Sequence, residues 1–397
     1  MKIKDLYSGI DLHSNNHVIA IQDLDDRRLN RKKLPNKIES TLSFLGPYKD
    51  RIKAIAVEST FNWYWLVDAL MEEGYDVRLA HPGAINQYKG LKHTDDKDDA
   101  FFLAHLLRLG LLPEGYIYPK EEREVRDLNR KYRRFIQERT THILSLKSLF
   151  NRSLSVHLSS YRIKNLKDEE VSGMIEDKNL LASAMAHVTT IRYLTHTIDR
   201  LEELILSQVK LRPEYEGLMQ LPGVGKVLAT SIALETGDIN RFKTPGDYVS
   251  YCRCVSSYRK SNDKIKGSNN KKNGNKCLAW AYMEAAEKAK RYCPYAKAFF
   301  ERKLKKGNIF IAYKALAHKY ARVAYYIMKE QQEYDVKRVF PQVTVTQVKE
   351  IQIGEREANK PKVKQKQKIE GRASKPHRGL DQKPLAPIGS TGATAIS

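Results

Sequence analysis

The stretch Leu6-Tyr7-Ser8-Gly9-Ile10-Asp11-Leu12 decides the fold class, because it predicts a β-strand at the start of the chain. Turn-forming residues follow at 13–16, and residues 17–22 predict a second strand, so the two are expected to form a hairpin. A short apolar run at 52–57 ends at Glu58 and predicts a buried strand.

Strands and helices then alternate. Residues 61–73 predict a helix that Gly74 ends, residues 75–80 predict a strand, and residues 96–109 predict a helix that Gly110 ends. A hairpin followed by alternating strand and helix predicts an α/β domain with a mixed sheet over residues 1–118.

Residues 119–212 are rich in charge and nearly free of Pro and Gly. Apolar residues recur at spacings of three and four, which predicts two long amphipathic helices. The residues that set this spacing are Ile136, Ile143, Leu146, Ile191, Leu194, Ile198, Leu201 and Ile205. The helices could form a coiled coil that assembles subunits, or they could pack within one chain.

A mainly helical region is expected over residues 213–337. Pro222-Gly223-Val224-Gly225-Lys226 opens a helix that runs to about Glu235, and its backbone N–H groups could hold a phosphate. An ordinary tight turn between helices is the alternative. Residues 338–397 are rich in Lys, Pro and Gln, which predicts a disordered basic tail.

The charge of the chain points to a polyanionic partner. Its 397 residues include 70 Lys and Arg against 47 Asp and Glu, a net charge of +23. Residues 241–310 hold 18 cations and five acids, and so contribute +13 of it. No apolar run approaches the roughly 20 residues that span a bilayer, and the start has no apolar signal region, so neither a membrane nor secretion is expected.

Four cysteines lie close together, at 252, 254, 277 and 293. Their spacing fits no common zinc pattern, so reduced thiols are expected and structural zinc is the weaker alternative.

Carboxylates mark the candidate active site. Asp11 lies near the end of the first strand and Glu58 ends a later one, so on neighbouring strands about 4.8 Å apart they would meet. Asp96 and Asp99 are three residues apart and share one face of a helix. Such an all-oxygen set suits Mg²⁺ or Mn²⁺, and two ions could clamp a phosphodiester. Acids at a helix start are also common as solvated caps.

These residues and motifs, in this order, resemble the DEDD transposases of bacterial insertion sequences, which are bridge-RNA-guided recombinases. The amino-terminal matches are Gly9-Ile10-Asp11, Val57-Glu58-Ser59-Thr60 and Asp96-Lys97-Asp98-Asp99-Ala100. The carboxy-terminal matches are Leu221-Pro222-Gly223-Val224-Gly225, Thr236-Gly237-Asp238-Ile239, Arg241-Phe242, Tyr251 and Lys272-Asn273-Gly274-Asn275-Lys276-Cys277-Leu278. The resemblance spans roughly residues 6 to 330.

The resemblance implies an RuvC-like domain of the ribonuclease H fold, a coiled-coil segment and a transposase domain. It implies that Asp11, Glu58, Asp96 and Asp99 bind Mg²⁺ and that a serine forms a covalent 5′-phosphoserine link to DNA. It also implies a non-coding bridge RNA that pairs with donor and target DNA, a dimer to tetramer with a composite site, and a location in the bacterial cytoplasm at the nucleoid.

Two points depart from the family pattern. Asp95 and Asp98 are also three apart, although Ala100 directly after Asp99 favours the other pair. In the family's Gly-Leu-x-Pro and following Ser-Gly, the glycine, the leucine, the proline and the glycine after the serine are all replaced here, and Ser261 corresponds to the nucleophile. Other serines that could serve instead are Ser256, Ser257 and Ser268.

Cations around Ser261 could hold a phosphate and stabilise the charge of the transition state. The expected nucleic-acid-binding residues are Gly223, Gly225, Lys226, Arg253, Arg259, Lys260, Lys264, Lys271 and Lys272. Tyr248, Tyr251 and Tyr258 could stack on bases or belong to the core. The alternatives to a recombinase are an RuvC-like, metal-dependent nuclease acting on branched DNA and a non-catalytic nucleic-acid-binding protein.

Overall fold

A computed structural model of the chain describes residues 5–85, 99–209, 212–255, 258–262, 264–268 and 274–344, together with residues 346 and 348. For residues 258–261, 265 and 268 it describes the backbone.

The first part of the chain forms a mixed, six-stranded sheet with the order β3-β2-β1-β4-β5-β6. Its strands are β1 (Leu6–Leu12), β2 (Asn16–Asp23), β3 (Arg28–Pro35), β4 (Ile52–Glu58), β5 (Val77–Ala80) and β6 (Glu114–Gly115). The first three strands are antiparallel, whereas β4 runs parallel to β1 and β5 runs parallel to β4. This mixed sheet fits the ribonuclease H-like fold, and the predicted hairpin is confirmed.

Helices cover the sheet. They are α1 (Ile38–Leu45), α2 (Tyr64–Glu72), α3 (Pro82–Ile85) and α4 (Asp99–Arg108), with a 3₁₀ helix at Gly46–Arg51. Leu66, Val67 and Leu70 of α2 are buried against one sheet face, and α4 packs on β1, β2 and β4. The predicted helix at 61–73 begins three residues later, at Tyr64, and ends before Gly74, whose φ of +84° suits glycine.

Two long helices follow, α5 (Lys120–Leu154) and α8 (Lys178–Val209), joined through the short α6 (Ser160–Lys164) and α7 (Asp168–Met174). The helices α5 and α8 pack against each other. The predicted apolar stripe is largely buried between them, as at Ile143, Leu146 and Ile191. The stripe therefore packs within one chain, while a supercoiled or intersubunit geometry stays a prediction.

The remaining described elements are helical except for one hairpin. The helices are α9 (Pro213–Met219), α10 (Lys226–Thr236), α11 (Pro245–Tyr251), α12 (Lys276–Tyr292), α13 (Pro294–Leu304), α14 (Ile309–Glu330) and α15 (Val336–Val339). The strands β7 (Tyr258–Ser261) and β8 (Lys264–Ser268) form an antiparallel pair between α11 and α12. The core of this region is built around α12 and α14, with Tyr248, Tyr282 and Tyr320 fully buried.

No helix within the described residues is both long and apolar enough to cross a membrane. The expected tail at 338–397 lies almost entirely outside the described residues. The expected boundaries at 118, 212 and 337 stay a prediction.

Candidate functional site

Two of the four predicted carboxylates lie at neighbouring strand ends. Ile10 of β1 is paired with Val57 of β4, and Asp11 and Glu58 each follow by one residue. Because the strands are parallel and side chains alternate, Asp11 and Glu58 are directed to the same face of the sheet. The predicted meeting of these two strand ends is therefore present in the fold.

Helix α4 covers that same face. A Cβ atom on Gly9 would lie 2.0 Å from the backbone oxygen of Ala100 and 2.7 Å from the nitrogen of Ala104, so only glycine allows this approach. Asp99 is the first residue of α4 and precedes Ala100 directly. Since Gly9 and Asp11 share one face of β1, the packing places the start of α4 on the face that carries Asp11 and Glu58.

The carboxylate edge offers an oxygen-rich donor set. Asp11 is buried, and its Oδ2 lies 3.3 Å from Nε2 of His13. Asp96, with the competing Asp95 and Asp98, lies outside the described residues. Within the described part of the chain, no three His, Cys, Asp or Glu side chains are close enough to hold a metal. The donor chemistry of Asp11 and Glu58 fits a hard divalent cation, and the complete set stays a proposal.

Ser261 ends β7 at the tip of the β7–β8 hairpin, which we call the serine hairpin. Asn262 follows in the left-handed region, with φ of +48°, and Lys264 begins the return strand and is exposed. Among the competing serines, Ser268 ends β8, whereas Ser256 and Ser257 lie outside the described residues. The backbone therefore presents Ser261 beside a tight turn between two short strands.

The described residues that flank the serine hairpin, which we call its base, are anchored next to helix α11. The Cys254 N–H donates to the Val249 oxygen at 3.1 Å, and the Asn275 N–H donates to the Tyr251 oxygen at 2.7 Å. Gly274 has φ of +80°, and a Cβ on it would lie 2.6 Å from that same Tyr251 oxygen. Gly274 and Asn275, the first described residues after the hairpin, thus fix the chain to α11.

Asn275 joins this base to a buried ion-pair network. Its Oδ1 accepts from the backbone N–H groups of Cys277 and Leu278 at the start of α12, and its Nδ2 donates to Oε2 of Glu235 at 2.8 Å. Two arginines of α5 bind the same carboxylate. Arg130 donates to both of its oxygens at 2.6 and 2.8 Å, and Arg126 donates to Oε2 at 3.1 Å.

The Glu235 network holds the carboxylate in its charged form. Burial alone would raise the pKa of Glu235, but the hydrogen bond from Arg130, the charges of Arg126 and Arg130 and the amide of Asn275 lower it to about 2. Glu235 is completely buried, so the two arginines compensate a charge that would otherwise be costly there.

Sequence reasoning missed Glu235, Arg126 and Arg130 as parts of the site. Glu235 was only the expected end of a helix, and more than 100 residues separate it from its arginine partners. The sequence did contain a hint that Glu235 has a charged partner, because an acid on an otherwise apolar helix needs one when that helix is buried.

The Gly223 turn packs tightly against α12. Gly223 has φ of +86°, and a Cβ on it would lie 2.5 Å from the Ala289 nitrogen. The Tyr320 hydroxyl donates to the Pro222 oxygen at 3.0 Å. Gly223 therefore has a packing role in the fold, and its predicted contact with a phosphate stays a proposal.

The other predicted nucleic-acid-binding residues are spread over the helix start and the serine hairpin. Gly225 caps α10 without a side-chain hydrogen bond, and both it and Lys226 are exposed. Arg253 has φ of +58° at the exit from α11. For Arg259 and Lys260 the backbone is placed on β7, and Lys271 and Lys272 lie outside the described residues.

Tyrosines and cysteines of this region belong largely to the core. Tyr248 is fully buried, and its hydroxyl lies 2.7 Å from that of Tyr282, so its place is in the core and not on bases. Tyr251 is half-buried, with Arg241 above its ring at 4.5 Å. All four cysteines are free, and burial raises the pKa of the Cys254 thiol to about 12. Within the part of the chain that the structure describes, these thiols do not form a group that could hold a metal ion.

Known proteins match both halves of the chain. Residues 8–154 match a family model described as a transposase, and residues 215–301 match one described as the transposase IS116/IS110/IS902 family. Together these segments span more than half of the chain. A probable family 20 transposase from Pseudomonas aeruginosa is 21% identical over 289 residues, which are 70% of this chain and 85% of that protein.

Proposed function

The chain belongs to the DEDD transposases of the IS110 family, and we propose that it cuts and rejoins DNA through Ser261 with the help of a metal-binding carboxylate cluster. The observation that carries this proposal is that one chain contains two sites. One is the carboxylate edge at Asp11 and Glu58, and the other is the serine hairpin, whose base is anchored by Gly274 and Asn275. The transposase family supplies DNA as the substrate.

In the proposed reaction, the hydroxyl oxygen of Ser261 bonds to a DNA phosphorus while the bond from phosphorus to the 3′ oxygen breaks. The serine loses its proton, and the departing oxygen takes one up to become a 3′ hydroxyl. Attack by a second 3′ hydroxyl reverses the step, restores a phosphodiester and frees the serine. Arg259, Lys260 and Lys264 would hold the phosphate and offset its charge.

Asp11, Glu58, Asp96 and Asp99 would hold Mg²⁺ or Mn²⁺, which when bound would offset the negative charge of the reacting phosphodiester. We propose that one subunit's carboxylates act with another subunit's serine in a dimer or tetramer. A non-coding bridge RNA would select donor and target DNA, and the reaction would take place on the bacterial nucleoid.

Strand exchange tests this proposal. The full chain is incubated with the RNA of its element, Mg²⁺ and both DNA substrates, and recombinant product is measured. Asp11→Asn is expected to reduce product at least a hundredfold, because it removes a buried carboxylate of the edge. Asp76→Asn, at the opposite end of the sheet, is the matched control and should retain activity. Unchanged exchange in Asp11→Asn would refute the role of the edge, and cleavage without exchange would favour the nuclease alternative.

A further inference from the structure

A cleft of about 1130 Å³ lies along helix α14, and we call it the α14 cleft. Phe299 and Lys303 of α13 line one side, and residues of the segment from Gln332 to Gln342 line another. Cys254 and Val255 also line the cleft, and Val255 lies three residues before the first strand of the serine hairpin. The cleft therefore reaches the last described residue before that hairpin.

The α14 cleft is basic. Its five cationic side chains outnumber its two acids, Glu333 and Asp335, for a net charge of +3. The cations are Lys303, Lys314, Lys319, Arg322 and Arg338. Such a lining complements a polyanion.

These cations lie close to one another. Burial lowers the pKa of Lys319, and the charges of Arg322, Arg302 and Lys303 lower it further. Burial also lowers the pKa of His318, and the charges of Arg322 and Lys319 lower it further. A hydrogen bond with the Cys254 backbone raises this pKa but does not outweigh them. A bound anion would relieve this mutual repulsion.

Apolar side chains are exposed beside the cations. Phe310 is 75% exposed and Ile311 is 57% exposed, both in the first turn of α14 and both lining the cleft. An aromatic face next to a basic groove is how proteins bind single-stranded nucleic acid, since bases stack on the ring while the cations contact phosphates. A duplex keeps its bases stacked inside and would leave Phe310 uncovered.

We propose that the α14 cleft binds an unpaired DNA strand next to the serine hairpin. The proposal deepens the function above and rests on it, because strand exchange requires an unpaired strand near Ser261. Charge complementarity, the exposed aromatic ring and the position of Cys254 and Val255 together favour this occupant.

Binding of a labelled 12-nucleotide DNA strand to the full chain tests the α14 cleft. Fluorescence anisotropy is measured at salt concentrations from about 50 to about 300 mM, a range that brackets physiological ionic strength. The double variant Lys314→Ala/Arg322→Ala should weaken binding roughly tenfold and lower the log–log salt slope by about 1.4, because two phosphate contacts are lost. Phe310→Ala should weaken binding roughly tenfold with an unchanged slope, because it removes only stacking.

Arg152→Ala is the matched control, since Arg152 is an exposed helix arginine outside the cleft, and it should bind as wild type does. Every variant also carries Ser261→Ala, and no divalent metal is added. Binding is therefore measured without any reaction at Ser261, and the result does not depend on whether the proposed recombination takes place. Three results would each overturn the proposal. The cleft variants could lose as much affinity for a duplex as for the single DNA strand, or more affinity for an RNA strand than for the DNA strand. They could also change the number of subunits while their affinity for DNA stays that of wild type.

Discussion

At the scale of single residues, Gly9 decides how closely α4 approaches the sheet. The absence of a Cβ allows the Ala100 backbone to lie directly over β1, and Asp99 precedes that contact. A residue with no functional group thus determines where the first turn of α4 lies relative to Asp11.

Gly9→Ala is expected to displace α4 and to lower stability by about 3 kcal/mol, because the new methyl group meets backbone atoms that cannot move independently. Gly46→Ala is the control, since nothing lies within 4 Å of a Cβ there and its φ is −47°. Thermal unfolding of both variants checks this expectation. Equal melting temperatures for Gly9→Ala and wild type would contradict the close packing of α4.

Glu235 is a fully buried carboxylate that stays charged in the folded chain. Because its pKa is lowered in the folded chain to about 2, it stabilises the fold above its ordinary value of 4.5, and that stabilisation is lost as pH falls from 4.5 towards 2. The shift corresponds to roughly 3 kcal/mol.

Glu235→Gln should therefore unfold at a clearly lower temperature than wild type at pH 7, and the difference should shrink at pH 3. Glu138→Gln serves as the control, because its ion pair with Arg134 is exposed and contributes about 0–1 kcal/mol. Melting curves at the two pH values provide the measurement. A difference for Glu235→Gln that does not depend on pH would show that the lowered pKa is not what stabilises the network.

At the scale of elements, the described residues on either side of the serine hairpin are fixed to helix α11. Asn275 caps α12 and also donates to Glu235, so one side chain links the start of a helix to the buried charge. The hairpin consists of four residues in β7 and five in β8, and two strands of this length have little stability of their own. Asn275 therefore fixes the point at which the chain enters α12 after the hairpin.

Asn275→Asp keeps the capping oxygen but removes the donor and places a second carboxylate against Glu235. We expect it to destabilise the chain by about 2 kcal/mol and to slow the reaction of Ser261. Asn308→Asp is the matched control, because Asn308 caps α14 at an exposed position where added negative charge favours the helix. Thermal unfolding compares the two variants, and equal effects would show that the contact with Glu235 contributes nothing.

The sequence predicts some elements better than others. The strands β1, β2 and β4 could be predicted because apolar runs end at turn signals or at an acid. Strand β3 was missed, since its Arg-Leu-Asn-Arg-Lys-Lys-Leu-Pro stretch has no apolar alternation and is mostly exposed. It is a strand because it pairs with β2 at the sheet edge, a tertiary effect that local pattern does not reveal.

At the scale of the whole molecule, α5 connects α2, a helix that packs on the sheet, with α10 of the carboxy-terminal region. Arg123 donates to Asp68 of α2 at 2.6 Å, while Arg126 and Arg130 bind Glu235 of α10. Local periodicity predicted α5 as a long amphipathic helix, but the partners of its buried arginines depend on distant parts of the chain. Asp11, Glu58 and Ser261 could be proposed from motifs, whereas the Glu235 network could be identified only from the fold.

The proposed function depends on a covalent bond between Ser261 and DNA. The most direct measurement incubates the full chain with RNA, Mg²⁺ and labelled DNA, denatures the mixture and detects labelled protein. We expect an adduct in wild type and in Ser268→Ala, and none in Ser261→Ala. An adduct that survives Ser261→Ala, or cleaved DNA with no adduct in wild type, would contradict the claim.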